Sequence, residues 1–261
     1  MRRVVGLVIV AAVATVAGVL VARPTASTPA LKAESVAVSI VEPTSTTVRP
    51  DVGATGATAA PLTGPFQVAS VIGTRITVAK SPGGELLSEL TNPLYTLPLV
   101  FLVKSAGAGD WLEVRLPTRP NGSSGFVRMA DVKVATVTTQ VLVEQRLRRL
   151  TVWDGGRLVF ETPVAVGKPS TPTPTGTYYV QGTAPMSNPS GAYGPFILAL
   201  SSHSDVHKTF AGGDGLVGMH GTNQPGLIGQ AVSNGCIRMP NAAATQVARL
   251  VAAGSPVVVV P

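Results

Sequence analysis

One cysteine and one histidine in the sequence are placed where they could act together in nucleophilic catalysis. Cys236 is the only cysteine among the 261 residues, and His220 stands 16 positions before it. A thiol attacks as a thiolate, so it needs a neighbouring base or a lowered pKa, and His220 can be that base. The Gly-rich loop between the two residues is long enough to fold back and bring both side chains to one site. The alternatives are an inert buried thiol and a packed core histidine.

The residues beside Cys236 have properties that a nucleophile would use. Gly235 precedes it, allows an unusual backbone conformation and lets a substrate approach closely. The amides of Gly235 and Cys236 are then candidate donors to an oxyanion. Arg238 lies two positions on, which on a strand is the same face. It could lower the pKa of the thiol or bind a substrate carboxylate through two hydrogen bonds; the alternative is a structural ion pair.

Other polar residues of this region permit weaker hypotheses. His203, Asp205 and His207 could converge on a metal ion. We expect them instead to be surface loop residues, because no further Cys or Glu stands at a recognised ligand spacing. Tyr193 lies in a Gly-rich stretch and could line a cleft. Asp214 is close to His220 in sequence, but no role is predicted for it.

The elements that must position these residues are mostly strands. Between residues 136 and 261, short β-rich runs alternate with turn signals such as Asp154-Gly155-Gly156, which predicts a hairpin. One helix is predicted, with Asn241 as its N-cap and residues 242–253 as its body. Val257–Val260 is continuously apolar, which predicts a central closing strand. The fold class expected is mainly β.

A second β unit is predicted at residues 66–135. Its short strands are separated by turn signals, which indicates a small barrel. The stretch from Gly109 to Val132 is similar to the last strands of bacterial SH3-like domains. Trp111 and Phe126 could contact a ligand there, although core positions are expected for both.

The N-terminal residues predict export. Arg2 and Arg3 precede an uncharged apolar stretch, so residues 1–22 are typical of a signal peptide or a membrane anchor. Residues 23–65 are rich in Thr, Ser, Ala, Val and Pro, which predicts a disordered linker. The expected location is the periplasm or the cell wall, with any membrane attachment through the N-terminal segment alone.

The charge of the chain narrows the possible partners. Lys and Arg total 20 against 13 Asp and Glu, giving a net charge of +7. These basic residues are scattered and form no long run, so nucleic acid is not an expected partner. An anionic lipid or an anionic wall polymer remains compatible with this charge.

Three motifs carry a resemblance to a known family. The residues His220-Gly221-Thr222-Asn223 and the run from Ser233 to Met239 are similar to the signature of the L,D-transpeptidase catalytic domain of the YkuD type. The segment "VGKPSTPTPTG", from Val166 to Gly176, and the strand Gly194–Leu200 resemble two further elements of that family. The resemblance spans nearly all of residues 136–261, which are therefore predicted to be the catalytic domain.

The fold implied by the resemblance is an L,D-transpeptidase-type β-sandwich with one or two short helices, preceded by a small SH3-like β-barrel. Cys236 would be the acyl-accepting nucleophile and His220 its base, with the ring oriented by the carbonyl of Gly221. Ser233 and Gly235 would shape the turn before the nucleophile.

The resemblance also implies a substrate site. Arg238 and Asn234 would line it, and Tyr193, from its place between Gly191 and Gly194, could line the same cleft. Asn234 stands where many members of the family have histidine, so a second histidine cannot be the base here.

The activity implied is remodelling of peptidoglycan through an acyl-enzyme. Cys236 would attack a stem peptide and release its terminal D-Ala, and an amine of a neighbouring stem would accept the acyl group to form a 3→3 cross-link. No metal or organic cofactor is expected, and carbapenem-type β-lactams would be inhibitors. The alternatives are an L,D-carboxypeptidase with water as acceptor, acyl transfer to a protein amine, and a non-catalytic peptidoglycan-binding wall protein.

Overall fold

The computed structural model of the protein describes residues 59–209 and 213–261, all of which belong to one compact unit. The predicted signal peptide or anchor, residues 1–22, and the predicted linker as far as residue 58 lie outside the described residues. Among the residues described, no helix is long and apolar enough to cross a membrane.

The first seven strands form one antiparallel sheet, which we call the N-terminal β unit. The strands are β1 (Phe66–Val71), β2 (Arg75–Ala79), β3 (Leu86–Thr91), β4 (Val100–Ala106), β5 (Trp111–Arg115), β6 (Ser124–Arg128) and β7 (Val132–Val137). Their order in the sheet is β3-β2-β6-β5-β4-β1-β7. The alternating residues of β5 and β6 place Leu112, Val114 and Val127 in a buried apolar cluster with Phe101. The indole of Trp111 is instead half-buried, with the Arg128 guanidinium 4.8 Å above its ring.

The remaining strands form a second, mixed sheet and a small two-stranded one. They are β8 (Thr139–Glu144), β9 (Arg149–Asp154), β10 (Arg157–Pro163), β11 (Val166–Gly167), β12 (Gly176–Pro185), β13 (Phe196–His203), β14 (Leu216–His220), β15 (Ala231–Ser233), β16 (Ile237–Arg238) and β17 (Pro256–Val260), with the helix α1 (Asn241–Leu250) before β17. The large sheet has the order β10-β9-β8-β17-β12-β13-β14-β16, and β11 pairs with β15. The mainly β prediction is confirmed.

The apolar pattern of the closing strand explains its position in the sheet. β17 lies between β8 and β12, as the continuous run of valines predicts, because a central strand is covered on both faces. Val257 and Val259 are buried in the main core with Val141 and Val143 of β8. The β9–β10 hairpin turns through Gly155 and Gly156, whose φ angles of 54° and 80° are those of a type I′ turn.

The helix differs from its prediction at both ends. α1 begins at Asn241, so Pro240 and not Asn241 holds the N-cap position, and no side chain caps the first turn. The Asn241 side chain instead accepts a hydrogen bond from the Thr222 amide at 2.7 Å, a tertiary contact that sequence patterns do not reveal. The helix ends at Leu250, three residues before the predicted end.

The two sheets are joined by an apolar contact and a hydrogen bond. Val100 and Leu102 of β4 form a buried cluster with Tyr179 of β12, and Phe66 packs against it. The Tyr179 hydroxyl donates to the carbonyl of Arg115 at 3.2 Å. The N-terminal β unit is therefore fixed against the sheet that carries His220 and Cys236.

Residues 59–65, the last of the segment predicted to be a linker, include a contact with β8. The amide of Leu62 donates to the side-chain oxygen of Gln140 at 2.8 Å, and the Gln140 amide group returns a hydrogen bond to the Leu62 carbonyl at 2.7 Å. Gln140 is buried on β8, so pairing with the passing chain satisfies a side chain that would otherwise lose hydrogen bonds to water.

Candidate active site

Cys236 lies at the edge of the second sheet, immediately before β16. This strand runs parallel to β14, with Met219 opposite Ile237 and His220 opposite Arg238. The backbone amide of Gly218, two residues before His220 on β14, faces the Cys236 thiol and acts to lower its pKa. Parallel pairing of two short strands therefore brings the thiol beside the strand that ends in the histidine.

A hydroxyl group fixes the turn that presents the thiol. Ser233 Oγ donates to the Cys236 carbonyl at 2.6 Å and accepts the Gly235 amide at 3.1 Å. Gly235 has a φ of +118°, a conformation that side chains disfavour. Because the Gly235 amide is bound to Ser233, the Cys236 amide is the better placed of the two predicted oxyanion donors.

Two threonines support this turn from behind, and the sequence did not single them out. Thr171 Oγ1 donates to the Ser233 carbonyl at 3.1 Å, and Thr173 Oγ1 donates to the Gly235 carbonyl at 2.9 Å. Thr173 also accepts the Gly167 amide at 2.8 Å. Both threonines are buried, so these bonds are shielded from water. The only sequence signal was their position in the Pro-rich family segment.

His220 is buried, and its ring orientation is set by its neighbour in the chain. His220 Nδ1 lies 2.6 Å from the carbonyl oxygen of Gly221. A carbonyl can only accept, so Nδ1 carries the proton of the neutral ring and Nε2 has a free lone pair. An imidazole in this state can take a proton from a thiol.

Close backbone packing holds the turn after His220. A Cβ atom on Gly221 would overlap the side-chain oxygen of Asn241 and stand 2.9 Å from the Gly194 Cα. Gly194 has a φ of +63°, and a Cβ atom there would also overlap the Asn241 side-chain oxygen. Glycine at both positions allows the two chain segments to meet, and the helix residue Asn241 joins them through its bond to the Thr222 amide.

Burial sets the protonation states of Cys236 and His220, the candidate catalytic pair. It lowers the pKa of His220 to about 4, with the Arg238 charge acting in the same direction and the Gly221 carbonyl opposing it. Burial also raises the pKa of the Cys236 thiol, while the Gly218 amide and the Arg238 charge oppose that rise. At neutral pH both groups are therefore uncharged, so any attack by the thiol would require its deprotonation.

Two cavities open beside the thiol. The larger, of about 210 Å³, is lined by Cys236 with the residues Tyr193, Ile197, Ala199, Gly213, Leu216, Val217 and Gly218. Tyr193 also contacts His220 edge-on, with ring centroids 4.9 Å apart. The smaller is lined by Cys236 and Asn234 with Ser204, His207, Gly215, Leu216 and Val217. Tyr193 and Asn234 thus each line a cavity together with Cys236.

Arg238 stands near both members of the pair but does not form an ion pair with any described residue. Its Nη1 donates to the side-chain oxygen of Gln224 at 3.4 Å, and its Nε is buried without a hydrogen-bond acceptor in the described part of the chain. This placement leaves a cationic group available to an anionic ligand.

The candidate metal ligands do not form a site. His203 Nε2 lies 3.0 Å from Asp214 Oδ2, and the Asp205 carboxylate accepts a hydrogen bond from the Asn121 side chain at 3.2 Å. Across residues 59–209 and 213–261, no three His, Cys, Asp or Glu side chains are arranged to hold a metal ion.

Comparison with protein families and known proteins finds similar sequences for the second half of the chain. The family described as the L,D-transpeptidase catalytic domain, YkuD, matches residues 138–259. A Bacillus licheniformis protein named as an L,D-transpeptidase, YkuD, is 36% identical over 126 residues, which cover 48% of this chain and 68% of the relative.

Solved structures with a similar fold include two L,D-transpeptidases. A mutant of the Enterococcus faecium enzyme is 23% identical with a TM-score of 0.37, and the match covers 47% of this chain and 50% of that chain. L,D-transpeptidase 3 of Mycobacterium tuberculosis, solved with a faropenem-derived adduct, is 17% identical with a TM-score of 0.42 and coverages of 74% and 98%. This chain thus spans half the length of the Enterococcus chain.

Proposed function

This chain belongs to the L,D-transpeptidase family of the YkuD type, and we propose that it cross-links peptidoglycan through an acyl-enzyme on Cys236. The observation that carries the proposal is the orientation of His220. Its Nδ1 is committed to the Gly221 carbonyl at 2.6 Å, which leaves the lone pair of Nε2 as a base. Cys236 lies beside the same strand and lines a cavity that a substrate could enter.

The first step is acyl transfer to the thiol. His220 Nε2 takes the thiol proton as Cys236 Sγ attacks the carbonyl carbon between the third stem residue and the terminal D-Ala. The C–S bond forms and the carbonyl π electrons move to oxygen, where the Cys236 amide can stabilise the charge. The oxyanion then collapses, the C–N bond breaks, and the imidazolium returns its proton to the leaving amine of D-Ala.

The second step transfers the acyl group to an acceptor. A side-chain amine of a diamino residue on a neighbouring stem attacks the thioester, losing a proton to neutral His220. The C–S bond breaks, and the sulfur regains a proton from the imidazolium. The product is the 3→3 cross-link, and the thiol and imidazole are restored to their starting protonation states. The Arg238 guanidinium is proposed to bind a carboxylate of the donor stem.

The same chemistry makes carbapenems expected inhibitors. A β-lactam is a strained cyclic amide, so attack by Cys236 Sγ breaks its C–N bond without releasing a leaving group. The ring nitrogen takes up the proton, and the inhibitor stays attached to the enzyme as a thioester.

We further propose that the protein acts outside the cytoplasm. Arg2 and Arg3 before the apolar stretch that ends at residue 22 support export, and peptidoglycan cross-linking requires it. The SH3-like character of residues 66–135 likewise stays a prediction.

Intact-protein mass spectrometry tests the proposed function. Wild-type protein incubated with imipenem should gain the mass of one inhibitor molecule, and Cys236→Ala should gain none. Because the chain has a single cysteine, an adduct that is lost in Cys236→Ala must be on Cys236.

A second experiment tests the acyl acceptor: the protein is incubated with a disaccharide tetrapeptide, and the products are separated. A cross-linked dimer supports transpeptidation, a tripeptide alone indicates transfer to water, and an unchanged substrate without an imipenem adduct refutes catalysis.

A further inference from the structure

The N-terminal β unit binds the wall of the cavity beside Cys236 through one arginine. Arg119, in the β5–β6 connection, donates Nη1 to the Ser204 carbonyl at 2.7 Å. Its Nη2 donates to the carbonyls of His207 at 3.0 Å and of Asp214 at 2.8 Å. One guanidinium therefore joins two stretches of chain, 204–207 and 213–215, that lie between β13 and β14.

The side chain of Asn121, two residues after Arg119, holds the backbone just before the stretch 204–207. Asn121 Nδ2 donates to the His203 carbonyl at 2.6 Å, and Asn121 Oδ1 accepts the His203 amide at 2.8 Å. This pair of hydrogen bonds reproduces the pairing of a β-ladder at the last residue of β13. The Tyr95 hydroxyl, from the β3–β4 connection, adds a hydrogen bond to the Asp214 carboxylate.

These hydrogen bonds end on residues that line the cavities beside the thiol or that adjoin such residues in the chain. Ser204, His207 and Gly215 line the smaller cavity with Cys236, and Gly213 lines the larger. Gly215 has a φ of +79°, and a Cβ atom there would stand 3.0 Å from Arg119 Nη2. The guanidinium thus packs directly against the backbone that forms the cavity wall.

We propose that Arg119 is a positioning residue for the acyl-donor site, so that the N-terminal β unit is a structural part of that site. A planar guanidinium has five N–H donors in a fixed arrangement and can hold three carbonyls at once, which an ammonium on a flexible stem cannot do with the same geometry. The positioning role rests on the proposed acylation of Cys236. Beyond that function, the acyl-donor substrate would contact a cavity wall whose shape depends on Arg119, a residue outside the predicted catalytic domain.

The test compares Arg119→Gln and Arg119→Lys with wild type, using Arg128→Gln as the matched control. Arg128 is in the same β unit and contacts Asp110 and Trp111, away from the cavity wall. Both Arg119 variants should need about tenfold more imipenem for half-maximal acylation rate, with the saturating rate within about threefold of wild type. Alkylation of Cys236 by iodoacetamide should stay unchanged, because a small reagent does not use the wall. Arg128→Gln should match wild type throughout.

Hydrogen exchange separates this inference from the proposed function. In Arg119→Gln, amides in the stretches 204–207 and 213–217 should exchange faster than in wild type, while those of β16 should not. Unchanged exchange and unchanged imipenem saturation would overturn the inference. An equal loss of alkylation and acylation would overturn it as well, since it would indicate general disruption of the site. If wild type forms no adduct, the proposed function fails, and the exchange experiment alone still decides whether Arg119 orders the wall.

Discussion

His220 Nδ1 and the carbonyl oxygen of Gly221 lie 2.6 Å apart, so an uncharged group orients the base. A carboxylate in this position would stabilise the imidazolium strongly, as the aspartate of a serine-protease triad does. A peptide carbonyl stabilises it less, and burial therefore dominates and lowers the pKa of His220 to about 4. In the proposed mechanism, the reaction therefore starts from a neutral thiol and a neutral imidazole.

The pH profile of acylation should reflect this histidine. The base must be neutral, so the second-order rate constant for imipenem should rise as pH increases through about 4 and be nearly constant from pH 5 to 7. Stopped-flow absorbance at pH 3.5–8 measures it, with circular dichroism to verify that the protein stays folded. A midpoint near 6.5, the ordinary pKa of histidine, would contradict the assignment.

Arg238→Gln should move the acid limb of that profile to higher pH. The Arg238 charge contributes to the lowered pKa of His220, so its removal should bring the pKa closer to the ordinary value. Arg238→Lys keeps the positive charge and is the matched control, with an expected midpoint close to that of wild type. The same profile in both variants would show that Arg238 does not act on His220 through its charge.

Folding stability should also depend on His220, with a sign that follows from its lowered pKa. Between pH 6.5 and 4 the unfolded chain binds a proton at this histidine and the folded protein does not, so stability falls as pH falls through that window. The contribution is up to about 3 kcal/mol, from the distance between the two pKa values. Urea unfolding of wild type and His220→Gln at pH 7 and pH 4.5 measures it. The decline should be smaller in the variant, and equal declines would argue against a neutral buried ring.

Gly221→Ala should shift the position of the His220 ring without directly contacting the Cys236 thiol. The added Cβ would overlap the Asn241 side chain, which holds the Thr222 amide, so the turn after His220 must shift. We expect a loss of roughly 1–3 kcal/mol in the free energy of unfolding, as for overpacked sites, and acylation slower by more than about tenfold. Gly226→Ala in the same loop is the control, because open space surrounds that position. Equal behaviour of the two variants would count against the close packing.

Which features could be predicted from the sequence depends on the range of the interactions. Residue type and spacing alone suggest His220 and Cys236 as partners. The β9–β10 hairpin and the closing strand β17 follow from the sequence as well, because local patterns encode them. The residue type of Asn241 predicts a helix cap, but its side chain accepts a hydrogen bond from the Thr222 amide across the fold. Arg119 is 85 residues from Ser204, and nothing local signals that contact. Hydrogen bonds between residues far apart in the chain could therefore not be predicted from the sequence.

Thr173→Val should show how much the support behind the nucleophile contributes. Valine has nearly the shape of threonine but cannot bond the Gly235 carbonyl or the Gly167 amide, and both are buried at this contact. Leaving buried partners unpaired should cost about 1–3 kcal/mol of folding free energy and allow the Cys236 turn to relax, which should slow acylation. Thermal unfolding and the imipenem rate constant measure the two effects. Thr175→Val, at an exposed position of the same segment, should change neither. If Thr173→Val retains the wild-type rate despite lower stability, the threonine supports the fold but does not position the thiol.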